Sequence, residues 1–462
     1  MNTDLLSMAE LSGLLEANYI SFAPNKGFSS VAIDSRAVKE GALFFALEGS
    51  TSDGHEFVKA AFASGARGAV VSSLKIESFD LVNIASRMGK DLIAVPNTLK
   101  GLQDSARVYL EKFPKLIKAG ITGSSGKTTT KEVASSIISC EKNTVMNKGN
   151  LNSETGLPLS VFEVRSHHEV GVFELGMNRP GEICEIAGVL KPNIALVTNI
   201  GTAHIEYFGS KEKILNEKKC IFNYLNSSDI ALIPDSDEYA DDLADGVAAK
   251  IKYYGAERFE EFEGARSLGL DGTEIIWAGE KIHYALPGKH SLEDALAAIA
   301  IAKEIPVSSG AIKKGLESVK PLFGRLEILN GKRATVVRDC YNANPESMAR
   351  SIEFCDSIEW PGRKIYVIAD MLELGGSSAS EHQKVGFLLS VSGAKKVFLF
   401  GREIEAAAAC LADNKNDFFH SNDIGSLSAA LDSFVKKGDL VLLKGSRGCA
   451  LERLSDMLTG GC

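Results

Sequence analysis

The sequence predicts an α/β protein of about three domains: a small N-terminal α/β domain, a central parallel-sheet domain and a C-terminal domain of doubly wound type. Three observations carry this. The chain has 462 residues, about three times what one hydrophobic core usually organises. Through the middle and last thirds, short apolar runs alternate with segments of helical spacing, the rhythm of parallel strands joined by helices. Residues 120–130, Gly-Ile-Thr-Gly-Ser-Ser-Gly-Lys-Thr-Thr-Thr, follow an apolar run and open a helix, which is where a phosphate-binding turn belongs.

Taken in order, strand-like runs fall at 31–33, 42–47 and 68–71 around an amphipathic helix over 57–65. A helix over 99–113 leads to a strand at 116–121 and the glycine-rich turn. Strands at 170–175 and 194–199 follow with helical segments between them, and a nucleotide site is expected at their carboxyl ends. Between 250 and 287 the pattern changes to short alternating strands, with 274–279 turning into 281–286 as a hairpin. Helices over 292–305 and 311–319 precede a break at 321–325, which places a domain boundary near 320. The remainder reads as strand 364–369, helix 381–389, strand 396–400, helix 403–411, helix 424–435, strand 440–443 and a final helix.

Apolar content of 45% with 24% charged residues is that of an ordinary globular protein. A net charge of −9 and a pI near 5.6 argue against a nucleic-acid partner, whose backbone demands a basic face. A small, anionic substrate in a local cationic pocket fits better. The N-terminal segment lacks a basic region followed by an apolar stretch, and no run approaches the roughly 18 apolar residues of a membrane span, so a cytoplasmic protein without membrane insertion is expected. The eight cysteines, at 140, 184, 220, 340, 355, 410, 449 and 462, form no C-x-x-C pair and read as reduced, mostly core residues.

The turn supplies the chemistry. Backbone N–H groups of a glycine-rich loop converge on a polyphosphate, Lys127 adds a point charge, and the Thr128 hydroxyl suits the Mg²⁺ that travels with a nucleotide. The strict G-x-x-x-x-G-K-[ST] pattern fails by one residue, because Ile121 stands where the first glycine would be, so the turn is a shorter one built on Gly123 and Gly126. Glu174 and His204 close two strands, expected to be neighbours, and a carboxylate and an imidazole there would share a second metal near the γ-phosphate. Lys218 and Lys219, on a helix running from Ser210, are by default solvated. A nucleotide-dependent switch without bond-forming activity is the alternative class. Asn147-Lys148-Gly149-Asn150 lacks the Asp of a guanine reader.

Two motifs, the turn itself and Asn199-Ile200-Gly201-Thr202-Ala203-His204, resemble those of the Mur ligases, ATP-dependent amide-forming enzymes of peptidoglycan synthesis. Asp34-Ser35-Arg36, residues 41–49 and Asp53-Gly54-His55-Glu56-Phe57 are similar to the N-terminal domain of the members that add the third residue or the terminal dipeptide. Asp339-Cys340-Tyr341-Asn342-Ala343-Asn344-Pro345, residues 370–375 and Lys444-Gly445-Ser446-Arg447 resemble the dipeptide-adding branch, and the Asp-Asn-Pro-Arg signature of the other branch is absent. The folylpolyglutamate synthases, ligases of the same superfamily, lack the N-terminal motifs.

This resemblance covers nearly the whole chain. It implies a UDP-substrate-binding domain over 1–96, a central P-loop ATP-binding domain over 97–319 and a Rossmann-like domain over 320–462. The implied partners are UDP-N-acetylmuramoyl-tripeptide and D-alanyl-D-alanine, joined through an acyl phosphate by a monomeric enzyme. The implied catalytic residues are Lys127, Glu174, His204, Lys218 and Arg447, with two Mg²⁺ ions held by Thr128, Glu174, His204 and Lys218, the last as a carbamate. ATP contacts are implied for Thr122, Gly123, Ser124, Ser125, Gly126, Lys127, Thr128 and Thr129, and beyond the loop for His290, Asp294, Arg325 and Asp339. Asp34, Ser35 and Arg36 would face the UDP-sugar, and Asn152, Asn342, Asn344 and Arg447 the peptide and dipeptide. The chain departs from the family pattern at Ser153, Ser291 and Asp294, where Asn is usual, and at Cys220; Asp294 in place of an amide would lower selectivity for ATP.

Overall fold

The strand Ile117–Thr122 lies between Ile194–Val197 and Val170–Glu174 in a six-stranded sheet. Its order is Lys250–Tyr254, Ile230–Pro234, Ile194–Val197, Ile117–Thr122, Val170–Glu174, Thr144–Met146, all parallel. In this computed structural model, which describes residues 4–23, 27–413 and 417–461, every residue of Val170–Glu174 and Ile194–Val197 is buried. That explains their apolar sequence, broken only by Glu174 at a strand end, since helices cover both faces. Register pairs Glu174 with Ile121 and Val197 with Thr122, so three strands end at one level and the glycine-rich turn leaves from the middle of that edge.

The helix Lys127–Ile138 that follows the turn is fixed from below. It packs against Lys289–Lys303 and Ser309–Ser318. Gly315 sits so close that a Cβ there would overlap the Ile137 Cα, and the Ser136 hydroxyl donates to the Gly315 carbonyl at 2.8 Å. On this side an antiparallel sheet of Phe262–Ser267, Thr273–Trp277 and Glu280–Tyr284 adds Trp277 and Tyr284 to the core formed with Ile121, Val172 and Leu196.

The N-terminal sheet has the order Asn18–Ile20, Asp91–Val95, Gly68–Ser72, Ala42–Phe45, Ser30–Ala32, with the first pair antiparallel and the others parallel. One apolar cluster runs from its Phe45, Ile93 and Val95 through Leu102 and Tyr109 of the helix Thr98–Leu110 to Leu157 and Phe173 of the central part. Hydrophobic burial thus joins these two units through a shared core. The C-terminal sheet has the order Glu327–Asn330, Ala334–Asp339, Asp439–Lys444, Lys364–Ala369, Lys396–Phe400, Phe418–Ser421. Its first pair is antiparallel and the rest parallel, with separate apolar clusters on its two faces.

Several expectations change here. Lys250–Tyr254, read as the first of the short alternating strands, is the edge of the parallel sheet; its side chains are mostly exposed because only one neighbour covers it. The helix expected over 403–411 begins as a 3₁₀ turn, Glu403–Ala407, before Ala408–Asp413. Of the cysteines expected mostly in the core, only Cys340 and Cys355 are buried among the described residues, and Cys462 lies outside them. Cys140, Cys184, Cys220, Cys340, Cys355 and Cys449 are thiols outside any disulfide. No described helix is long and apolar enough to cross a membrane.

Because the loop-bearing helix rests on Gly315, a Gly315→Ala substitution must separate two helices. Its expected effect is a loss of about 1–3 kcal/mol, the usual range for overpacking, read as a lower urea midpoint. An unchanged midpoint would show that the helices part freely.

Candidate active site at the seam between two sheets

The turn is shaped by its glycines and held by one asparagine. Gly126 has φ +80° and caps the helix without a side-chain hydrogen bond, so the first helical N–H groups have no partner within the helix and face outward. Asn199 grips the turn: its Oδ1 accepts from Ser125 N at 3.0 Å and its Nδ2 donates to Ser125 O at 3.1 Å. The Thr198 hydroxyl donates to the same carbonyl at 2.6 Å. Ser124 N donates to Asn199 O at 3.0 Å. A loop fixed by partners outside itself presents its remaining donors without reorganisation.

Cations converge on this turn. Lys127 Nζ and Lys218 Nζ both donate to the Gly123 carbonyl, at 2.7 and 2.8 Å. Lys218, solvated by default on its helix but placed at the site by the resemblance, is 1% exposed. The helix Lys211–Lys219 is capped by Ser210 and tied down by Glu217, which accepts from Gly181 N and Ile183 N, and this turns Lys218 inward. Burial, with Lys127 beside it, pushes the Lys218 ammonium well below its ordinary pKa. Burial also lowers that of Lys127. Glu174 accepts from the Thr128 hydroxyl at 2.8 Å and from Asn152 Nδ2 at 2.6 Å, while Asn147 holds its backbone.

The C-terminal sheet faces this edge with its own strand ends. Asp339 and Lys444 are register partners on adjacent strands, and Lys444 Nζ lies 2.9 Å from both Asp339 Oδ2 and the Asn342 carbonyl. Burial would raise the Asp339 carboxyl, but Lys444 and the Ser351 hydroxyl hold it below its ordinary value. Arg325 stacks on Tyr341 at 4.3 Å and donates to Thr128 Oγ1 at 2.9 Å across the seam. Arg447 lies over Phe323 and pairs with Glu452. Asn344 caps the helix Pro345–Ser357 and is buried, whereas Asn342 is exposed.

His204 and Glu373 meet from opposite sides of the seam, Nδ1 to Oε2 2.6 Å, each at positive φ. The imidazole holds the Glu373 carboxyl below its ordinary value. Glu174 and His204, expected on neighbouring strands, are separated by the strand Ile117–Thr122 and flank the loop. Asp294 lies against Gly126, and burial with Glu293 nearby pushes its carboxyl well above the ordinary range. Among the described residues, no group of three or more His, Cys, Asp or Glu side chains is arranged to hold a metal ion by itself.

These groups line one cavity of about 520 Å³. It brings together Ser124 to Thr129, Asn152, Glu174, His204, Lys218, His290, Asp294, Arg325, Asp339, Asn342, Asn344 and Arg447. Ser153 and Ser291 line it too. Thr122 and Gly123 do not; the Thr122 hydroxyl is buried and bonded to the Leu175 carbonyl. Asp34, Ser35 and Arg36 lie elsewhere, with Arg36 exposed and bound to Asp34. Sequence reasoning assigned no role to Lys444, Glu373 and Asn199, although each sits inside a motif it singled out, or to Tyr341 and Arg350, which also line the cavity. A charged residue ending a buried strand was the available signal for Lys444.

Three family models match the chain in succession: the Mur ligase family catalytic domain over residues 28–110, the Mur ligase middle domain over 121–302 and the Mur ligase glutamate ligase domain over 324–447. The UDP-N-acetylmuramoyl-tripeptide–D-alanyl-D-alanine ligase of Treponema pallidum is 39% identical over 98% of this chain and 99% of its own. The Bacillus subtilis protein of the same name is 32% identical over 92% of each. The crystal structure of MurF from Acinetobacter baumannii superposes with a TM-score of 0.87 at 28% identity, covering 97% of this chain and 98% of that one. MurF from Thermotoga maritima, solved with ADP, gives 0.76 at 28% identity over 93% and 97%. Three matched domains on three sheets, with full-length relatives and a phosphate loop at the seam, establish that the chain belongs to the Mur ligase family.

Proposed function

We propose that this chain ligates D-alanyl-D-alanine to UDP-N-acetylmuramoyl-tripeptide with ATP, giving the UDP-N-acetylmuramoyl-pentapeptide precursor of peptidoglycan with ADP and phosphate. The observation that carries the reading is the single cavity in which the phosphate loop, Glu174 and Lys218 face Asn342, Asn344 and Arg447. Full-length relatives bear this ligase name. The terminal carboxylate of the tripeptide attacks the γ-phosphorus of ATP and ADP leaves. The dipeptide amine then attacks the acyl phosphate carbonyl, and phosphate leaves as the amide forms.

The chain's own groups position and neutralise. The loop N–H groups and Lys127 take the β- and γ-phosphates, and Arg325 stays close enough to follow the charge as it moves. His290, Asp294 and Asp339 would face the nucleoside, with Asn152 on the peptide side and Asn342, Asn344 and Arg447 on the acceptor side. Asp34, Ser35 and Arg36 would hold the UDP end from the N-terminal unit, over 1–96, with the central unit at 97–319 and the C-terminal unit at 320–462. Thr128 and Glu174 offer hard oxygen donors 2.8 Å apart, which fits Mg²⁺ shared between a carboxylate and substrate phosphates. A second ion would take His204 and carbamylated Lys218. The ions supply charge neutralisation at the phosphates when bound. Lys218 is suited to carbamylation because its buried amine favours the neutral form, the one that adds to CO₂. We further propose a monomer working in the cytoplasm.

With ATP, Mg²⁺ and both substrates, the expected product is heavier than the tripeptide substrate by the dipeptide less water, and phosphate release requires both substrates. Nucleotide turnover independent of substrate, without product, would move the assignment to a regulatory class. Lys218→Ala is expected to lower kcat about 10²-fold or more, the scale of a lost charge-stabilising group, with recovery on adding short carboxylic acids; full activity without them would remove the carbamate.

His290 gives a pH signature. Burial holds its imidazole pKa at about 4, below the ordinary value near 6.5. The unfolded chain therefore binds more protons between these values, and stability falls as pH drops through that window. His290→Gln should show a shallower loss, by up to about 1.4 kcal/mol per pH unit, in urea unfolding at successive pH values. Parallel profiles would mean that the imidazole titrates normally.

A further inference from the structure

Glu346 is the second residue of the helix Pro345–Ser357, directly after the Asn342-Ala343-Asn344 turn. Asn344 caps this helix and Pro345 opens it, so the direction of Glu346 is set locally. Its carboxylate crosses the seam to the turn that leads into His204. Oε1 accepts from Thr202 N at 3.1 Å, and Oε2 accepts from the Thr202 hydroxyl at 2.8 Å. Gly201 leaves room for this approach, since a Cβ there would stand 3.2 Å from the Glu346 carboxyl carbon and 3.3 Å from Ser124 Cβ.

The contact continues into the phosphate loop. Gly201 N donates to Ser124 Oγ at 2.8 Å, and the Ser124 hydroxyl lies 3.2 Å from the Gly201 carbonyl. Neither Glu346 nor Thr202 lines the cavity. Arg325 with Thr128 and His204 with Glu373 also cross the seam but are cavity residues that bound ligands would engage, and at the rim Glu206 N donates to the Glu373 carbonyl at 3.1 Å and Arg350 lies 3.7 Å from Glu293. The Glu346–Thr202 pair stands outside the cavity, so it forms with the approach of the C-terminal unit and not through a ligand.

We infer that Glu346 is a positioning residue: by clamping Thr202 it holds the C-terminal unit where Asn342, Asn344 and Arg447 face the phosphate loop, and so places the acceptor amine without touching a substrate. The identity of the acceptor rests on the ligase reading above; the clamp does not. Both hydrogen bonds end on a carboxylate and are charge-assisted. Losing them leaves the half-buried Thr202 donors unpaired and releases the C-terminal unit.

The test compares Glu346→Ala, Glu346→Gln and Thr202→Val by steady-state kinetics, ATP affinity, thermal unfolding and small-angle scattering in ATP and Mg²⁺. Glu346→Ala is expected to lower kcat/KM for D-alanyl-D-alanine about tenfold with ATP affinity changed less than about twofold, the effect of losing a charged hydrogen-bond acceptor. It should also enlarge the radius of gyration. Glu346→Gln should recover most of the activity, because its amide oxygen accepts from Thr202 N while its NH₂ donates to the hydroxyl. Thr202→Val should lose part of it, with an effect that does not add to that of Glu346→Ala. Wild-type kcat/KM and unchanged scattering in both Glu346→Ala and Thr202→Val would overturn the proposal. So would equal losses of ATP affinity and dipeptide kcat/KM accompanied by lowered thermal stability, the pattern of a merely structural residue. Should the wild type form no product, the ligase reading falls, and the scattering difference alone decides the clamp.

Discussion

Two lysines bonded to one carbonyl set the terms for the whole site. Half-buried Lys127 and buried Lys218 both reach Gly123 O, and two ammonium groups cannot share one carbonyl without cost. The structure relieves this by favouring the neutral amine at Lys218 and by placing Glu174 at the next strand end, close enough to raise the affinity of Lys127 for its proton. Arg325 and Lys444 arrive from the other sheet with Tyr341 and Asp339 as their companions. The result is a cationic seam in a chain whose net charge is −9, which is what binding polyphosphate in an acidic protein requires.

The seam follows from sheet topology. In a parallel sheet all carboxyl ends lie on one side, so loops, helix N-termini and strand-end side chains accumulate there. Two such sheets turned edge to edge bring the phosphate loop of one against Asp339, Lys444 and the Asn342–Asn344 turn of the other. The hydrophobic effect fastens the N-terminal unit to the central one through a continuous core. The contacts with the C-terminal unit that carry the site are polar, among them Arg325 to Thr128, His204 to Glu373 and Glu346 to Thr202. Polar, partly hydrated contacts exchange with water at modest net cost, which suits a unit that must admit and release large substrates.

Much of this was legible beforehand where the cause is local. The hairpin Thr273–Trp277 to Glu280–Tyr284 announces itself by alternation, and the helix Lys211–Lys219 by its Ser210 cap. The strand Ala334–Asp339, which delivers Asp339 to the site, gave no strong signal: it follows a proline-containing break and ends in charged residues. The burial of Lys218 was hidden for a different reason. On a helix whose mean character is strongly polar, only the tie from Glu217 to Gly181 and Ile183 turns one lysine inward.

The sequence by itself determined the phosphate loop, the strand-end Glu174 and His204, the three-part α/β organisation and the family, because glycine placement, apolar period and contiguous motifs act over a few residues. Only the tertiary structure decided that the strand Ile117–Thr122 separates Glu174 from His204, that Lys218 shares a carbonyl with Lys127, and that Glu346 reaches Thr202. Those facts join residues tens to more than a hundred positions apart. Their partners are selected by sheet order and by the packing of whole units, which no local pattern encodes.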